Sequence, residues 1–254
     1  MNYQILEVKE QVLADNEQAA ARTREALKQS RTLLVNLMGS PGAGKTSSLL
    51  RLIELLGKDF KIGVMEADVD SDVDAKTVAE AGAKVIQLHT GGLCHMDADM
   101  TARGLEALDT AGLDLVFLEN VGNLVCPAEF DVGAGLRLMI LSVPEGDDKP
   151  LKYPLMFTVS DVMLVNKIDT APIFDFDLEA ASSRARALNP DIQIFPVSAK
   201  TGEGFAAVAD FLRERLRNKE AVGGGTLDAP SQPIAPYTGP SKAPAPTTER
   251  GASV

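Results

Sequence analysis

The chain has 254 residues, with 25 Lys and Arg against 36 Asp and Glu, which gives a formal charge of −11 and a pI near 4.7. That balance lacks the clustered basic footprint required by nucleic acid or an anionic membrane surface, while 45% apolar and 24% charged residues suit a globular protein with a sizeable core. No apolar run approaches the ~20 residues of a membrane span, no basic-then-apolar leader opens the chain, and two cysteines cannot make a disulfide framework, so a cytoplasmic protein with reduced thiols is expected.

In chain order, Val8 to Gln29 reads as one helix within an N-terminal unit of residues 1–31. Its acids (Glu10, Asp15, Glu17) precede its bases (Arg22, Arg24, Lys28), the order that suits a helix macrodipole. The apolar face of Val12, Leu13, Leu27 and several alanines is thin, so the helix is expected to pack onto another element.

From Thr32, short apolar runs alternate with helical patterns. The runs are 33–38, 61–65, 85–88, 115–118, 136–141, 162–165 and 192–195, and helices are expected at about 45–57, 73–82, 97–110, 177–188 and 203–217. Near-continuous hydrophobicity marks strands covered on both faces. The prediction for residues 32–220 is therefore an α/β, doubly wound, mostly parallel seven-stranded sheet of the P-loop GTPase type with helices on both faces. Ligands in such a sheet sit at the carboxyl ends of the strands. From Ala221 to Val254 the composition changes to six Pro and five Gly in 34 residues, which predicts a disordered tail.

After the first run comes Gly39-Ser40-Pro41-Gly42-Ala43-Gly44-Lys45-Thr46-Ser47, a P-loop pattern between a strand and a helix. Its glycines let backbone N–H groups turn toward phosphate oxygens, and the following helix adds its positive end. Lys45 is expected on the β- and γ-phosphates and Thr46 on Mg²⁺.

Asn166-Lys167-Ile168-Asp169 follows a buried run and matches the Asn-Lys-x-Asp element of guanine-binding GTPases. The Asp169 carboxylate offers two acceptors to guanine N1–H and its 2-amino group; adenine has an acceptor at N1 and no such amine, so this pairing selects GTP and GDP. Asn166 is expected at the major-groove edge of the base, the Lys167 stem over its face, and Ser198-Ala199-Lys200 at guanine O6.

Two further segments end strands with acids. Glu66-Ala67-Asp68-Val69-Asp70 follows the second run, and Asp68 and then Asp70 are expected to hold Mg²⁺ or the catalytic water. Glu119-Asn120-Val121-Gly122 follows the fourth, with Glu119 where many GTPases carry Asp and Gly122 as a γ-phosphate sensor. Lys45, Asp68 and Glu119 form the expected catalytic set. Asn123, not Gln, comes next, which predicts slow intrinsic hydrolysis.

Cys94 and His95 lie in the loop after the third run, and Cys126 lies four residues beyond Gly122. Taken by themselves, two cysteines in an α/β protein serve as small buried hydrophobes or as ligands of Ni²⁺ or Zn²⁺. Three ligands fall one short of a closed zinc site, a shortfall that a two-fold related partner would make good.

With these motifs together, the chain resembles the HypB family, in the nickel-accessory branch of P-loop GTPases, from about residue 8 to 217. The more specific blocks are Gly92-Leu93-Cys94-His95, Glu119 through Pro127, and Glu145-Gly146-Asp147-Asp148-Lys149-Pro150-Leu151-Lys152-Tyr153-Pro154. The resemblance implies a GTP-dependent homodimer with Cys94, His95 and Cys126 as an interface metal site. It also implies nickel handover with a HypA-type chaperone to the [NiFe]-hydrogenase large subunit precursor. Some members carry an N-terminal Cys-x-x-Cys site or a His-rich storage tract, and neither is present here. The rival readings are a urease accessory GTPase, which would show Cys-Pro-His where this chain has Cys126-Pro127-Ala128, and a nucleotide-gated metal-binding module whose hydrolysis is incidental.

Overall fold

The structure, a computed structural model, describes residues 8–68 and 73–221. The strands are β1 (Leu33–Gly39), β2 (Ile62–Asp68), β3 (Lys84–His89), β4 (Leu115–Glu119), β5 (Leu136–Ser142), β6 (Val162–Asn166) and β7 (Gln193–Pro196). They form one sheet in the order β3-β2-β4-β1-β5-β6-β7, with every pairing parallel. The helices are α1 (Val8–Ser30), α2 (Lys45–Leu56), α3 (Val73–Glu80), α4 (Ala98–Leu108), α5 (Cys126–Glu129), α6 (Lys149–Lys152), α7 (Pro154–Val159), α8 (Leu178–Leu188) and α9 (Phe205–Ala221). The tail expected beyond residue 221 lies outside the described residues.

β1 is buried along its whole length, as are β4 and β6, which accounts for their unbroken apolar sequence. The expectation of cover on both faces fails at the edges. β3 and β7 are partly exposed throughout, because each has a neighbour on one side only.

On one face Leu49, Leu52, Ile53 and Leu56 of α2 and Phe205, Val208, Leu212 and Leu216 of α9 pack against Val35, Leu37, Val64 and Phe117. On the other, Leu27 of α1 and Leu105 and Leu108 of α4 pack on Leu34, Val116 and Leu118. Met156 and Phe157 of α7 and Ala181 and Ala185 of α8 cover Met139, Met163 and Val165. Two helix starts are fixed by aspartates: Asp97 accepts from the Met100 N–H at 2.7 Å and Asp177 from the Ala180 N–H at 2.9 Å.

α1 is held by polar contacts as well as by its apolar face. The Asn16 amide donates to the Asp131 carbonyl at 2.9 Å and accepts from the Ala98 N–H at 2.9 Å, while Arg24 pairs with Asp131 at 2.7 Å. Ala19 and Ala20 are buried and cluster with Ala98 at the start of α4, small residues that permit close approach. Among the described residues no helix is long and apolar enough to cross a membrane.

Candidate functional site: a phosphate cradle beside a thiol and imidazole cluster

At the carboxyl ends of β1, β2 and β4 lies a cavity of about 680 Å³. It is lined by Gly42, Gly44, Lys45, Thr46 and Ser47 from the Gly-rich loop, by Glu66 and Asp68 at the end of β2, and by Glu119, Gly122, Gln87 and Lys167. Gly44 has a φ of +96°, and a Cβ there would stand 2.4 Å from Asn166 Nδ2, so glycine is required by both backbone and contact. The turn aims the N-terminus of α2 into the cavity. Lys45 is buried, with Nζ donating to the Ser40 carbonyl at 3.4 Å, and the Thr46 hydroxyl donates to Glu119 Oε1 at 2.9 Å. The glycine-rich loop and the expected lysine, hydroxyl and carboxylate side chains are thus brought together. Asp70 lies outside the described residues.

Asn166, Asp169, Ser198, Ala199 and Lys200 are absent from the cavity lining and form an adjoining frame. Asn166 is buried; its Nδ2 donates to the Ala43 carbonyl at 2.9 Å and its Oδ1 accepts from the Ala199 N–H at 3.0 Å. Its amide therefore joins the phosphate loop to the 198–200 loop, a task that the expectation of a base contact left out. Lys167, at a φ of 64°, donates from Nζ to the Gly42 carbonyl at 2.6 Å, and the Ser198 hydroxyl donates to Asp169 Oδ1 at 2.7 Å. Sequence reasoning missed Arg51. From α2 it donates to the Ala199 carbonyl at 2.9 Å and the Lys200 carbonyl at 3.2 Å, locking the 198–200 loop to the phosphate helix.

Cys94, His95 and Cys126 converge: one ligand atom from each lies within 4.8 Å of the others, and the two sulfurs are 2.9 Å apart. Cys126 sits at the first position of α5, not in an open loop, with Pro127 fixing the turn. The His95 ring stacks on Phe130 at 4.0 Å between centroids. Its pKa is lowered, chiefly by burial, which favours the neutral imidazole that ligates metal. The Cys126 thiol is raised, first by the hydrogen bond shared with Cys94 and then by burial. Two thiols and an imidazole form a soft donor set open to solvent on the Cys94 side, suited to Ni²⁺ or Zn²⁺ and incomplete by one ligand.

Two links tie this cluster to the cavity. The Asn123 N–H donates to the Gly39 carbonyl at 3.1 Å, while the Asn123 side chain reaches the Cys94 carbonyl at 3.4 Å and accepts from the Val125 N–H at 2.8 Å. Behind it, buried Asn120 donates to Asn36 Oδ1 of β1 at 3.1 Å and accepts from the N–H groups of Val121 (2.9 Å) and Met96 (3.2 Å). Gly122 lies against Pro41, where a Cβ would approach to 2.9 Å. Gln87 was also missed, and Asn120 and Glu66 were read only as members of strand-end segments, with no role of their own. A polar residue inside an otherwise apolar strand or at its end was the signal.

Residues 33–196 match the family model described as CobW/HypB/UreG, nucleotide-binding domain. The hydrogenase maturation factor HypB of Azotobacter vinelandii is 44% identical over 233 residues, covering 86% of this chain and 77% of that one. The crystal structure of HypB from Helicobacter pylori in complex with nickel superposes with a TM-score of 0.76 at 36% identity, over 80% of this chain and 96% of that one. The structure of HypB from Archaeoglobus fulgidus gives 0.75 at 41% identity, over 80% and 99%. A matching nucleotide-binding domain, relatives of this identity along most of the chain, and the same fold together establish that the chain belongs to the HypB hydrogenase maturation factors of the CobW/HypB/UreG family.

Proposed function

We propose that the protein binds and hydrolyses GTP and uses the nucleotide state to control a nickel or zinc ion at a dimer interface, in assisting nickel insertion into [NiFe]-hydrogenase. The observation that carries this reading is the Asn123 segment, bonded at one end to the phosphate loop and at the other to the chain around Cys94 and Cys126. In this reading Gly39, Ser40, Gly42, Ala43, Gly44, Lys45, Thr46 and Ser47 hold the phosphates, with Gly122 facing the γ-phosphate. Asp169 recognises guanine, with Lys167, Asn166 and Ser198-Ala199-Lys200 framing the base. The cavity's oxygen donors fit a hard cation, and Thr46, Asp68 and Glu119 would hold Mg²⁺, which when bound offsets charge developing on the phosphates.

Cys94, His95 and Cys126 hold the transported ion, and a second copy of the chain completes the coordination. The HypA-type chaperone and the hydrogenase large subunit precursor are the proposed giver and receiver, in a reducing cytoplasm. A role toward urease is the second reading, since the Helicobacter pylori relative, 36% identical over 216 residues, is described as a hydrogenase/urease maturation factor.

The test is anaerobic titration of Ni²⁺ and Zn²⁺ into the protein with GDP or a non-hydrolysable GTP analogue, alongside Cys126→Ser, followed by native mass measurement. Metal-dependent dimerisation with unequal affinities in the two nucleotide states supports the reading. Equal affinities, or undiminished binding by Cys126→Ser, overturn it.

A further inference from the structure

Three polar side chains stand opposite one another on adjacent strands of an otherwise apolar face. Glu119 of β4 is in register with Glu66 of β2, and Glu66 with Gln87 of β3. The row lies on the sheet face that α2 covers, since Glu119 is also in register with Leu37. All three line the phosphate cavity, and the row begins at the Thr46–Glu119 hydrogen bond. Sheet spacing of ~4.8 Å places Gln87 about 10 Å from β4, in the lining of the same cavity as Lys45 and Thr46.

Hydrolysis of a γ-phosphate needs a group that accepts from the attacking water and a donor that meets the phosphoryl oxygen, and a carboxamide supplies both. Four carboxamides lie in or beside the cavity, and that of Asn166 is committed to the Ala43 carbonyl and the Ala199 N–H. That of Asn123 is committed to the Cys94 carbonyl and the Val125 N–H. That of Asn120 is committed to Asn36, Met96 and Val121. Gln87 differs: its Nε2 is fully buried and has no hydrogen-bond partner among the described residues. A donor left in that state within a polar cavity is explained by an oxygen that arrives with the ligand.

We infer that Gln87, a β3 residue outside the P-loop and the carboxylate segments, is the water-orienting catalytic residue of the hydrolysis, with Glu66 beside it as the second acceptor. Gln87 Oε1 and the Glu66 carboxylate accept hydrogen bonds from the two O–H groups of the water, whose lone pair attacks the γ-phosphorus. The new O–P bond forms as the bond to the β,γ-bridging oxygen breaks, its electron pair leaves on GDP, and the water proton passes by way of Glu66 to the released phosphate. Gln87 Nε2 donates to a γ-phosphoryl oxygen as charge builds there. This assignment rests on the GTP-hydrolysing reading above.

The experiment measures single-turnover GTP hydrolysis, GDP affinity and affinity for GDP with aluminium fluoride, for the full chain and for Gln87→Ala, Gln87→Glu and Glu66→Gln. The expected result is a loss on the order of 100-fold in rate for both Gln87 variants, with GDP affinity held within about two-fold and the aluminium fluoride complex weakened in step with the rate. Gln87→Glu keeps the size of the side chain, so its loss cannot come from an emptied site. Rates within about two-fold of wild type, or a parallel fall in GDP affinity, overturn the inference and leave the GTPase reading intact. A wild-type protein that does not hydrolyse GTP at all overturns both.

Discussion

The peptide N–H of Asn123 donates to the carbonyl of Gly39 in an isolated antiparallel bridge, so the first residue of the phosphate loop and the segment leading to Cys126 share a hydrogen bond. In the proposed coupling, a nucleotide-driven shift of Gly39 reaches Cys126 from Asn123 through three residues of backbone. A fixed site coupled in this way should show reciprocal binding, each ligand changing the other's affinity by the same factor. The expected difference between GDP and GTP-analogue states is roughly 5- to 150-fold in metal affinity. Asn123→Pro, which removes the donated N–H, should bring the two affinities together while each ligand still binds; paired titrations of metal and fluorescent nucleotide check it.

Metal binding should release protons. The neutral His95 has none to lose, whereas the Cys126 thiol, raised by its bond with Cys94 and by burial, keeps its proton until a metal displaces it. Binding of one ion by both thiols therefore releases about two protons, and affinity rises as pH climbs toward the thiol range. Calorimetry in buffers of different ionisation enthalpy measures this number, and Cys94→Ser should cut it by about one.

Asp169→Asn should turn the base site from guanine toward xanthine. The carboxamide offers one donor and one acceptor where the carboxylate offers two acceptors, which matches a purine with oxygen at position 2. The Ser198 hydroxyl, which now donates to Asp169 Oδ1, retains an acceptor in the carboxamide oxygen, so the loop should hold its shape. The expected outcome is a GTP affinity lower by at least about 100-fold and a gain for XTP, read by competition against a fluorescent nucleotide.

Gly44→Ala should abolish nucleotide binding without unfolding the domain. The new methyl would stand 2.4 Å from Asn166 Nδ2 on a backbone at φ +96°, so either the phosphate loop moves or Asn166 gives up its bonds to Ala43 and Ala199. The cost is a few kcal/mol, placed in the loop and not the core. Circular dichroism at wild-type intensity with no measurable GDP binding is the expected pair of results.

Asp147 gives the acid side of the stability profile a specific signature. The Asp177 N–H, followed by the Arg184 guanidinium, holds its carboxyl below the usual carboxylate range. A depressed folded-state pKa adds stability that is present above the unfolded value near 3.9 and is lost as pH falls through the folded value. Asp147→Asn should lower the melting temperature at neutral pH, and the gap from wild type should close below about pH 4.

The sheet was legible in the sequence because parallel strands buried on both faces leave unbroken apolar runs, and β1, β4 and β6 start with those runs and end one residue beyond them. Cys94, His95 and Cys126 were legible as ligand types from the residues alone, but their convergence followed only from the resemblance. It depends on the strand order: β3 and β4 flank β2, so the loops that leave them meet above its end. Gln87 was hidden by the same rule that revealed the strands, being the one polar residue of its apolar run, whereas Glu66 was read only as the start of the acidic segment after the second run. The 145–154 block entered the sequence reading only as part of the resemblance. It folds as two short helices that divide at Tyr153 and Pro154, with Asp147 holding α8 through Arg184. That last contact spans 37 residues, beyond the reach of any local pattern.

Asn16 binds Ala98, just after the Cys94–His95 turn, and Asp131, just after the Cys126 turn, with the two ends of one carboxamide. The amino-terminal helix is therefore a splint across both jaws of the thiol cluster: neither jaw can open without tugging on the same small group. Loosening that splint from outside would be felt by both jaws at once, at a point remote from nucleotide and sulfur alike.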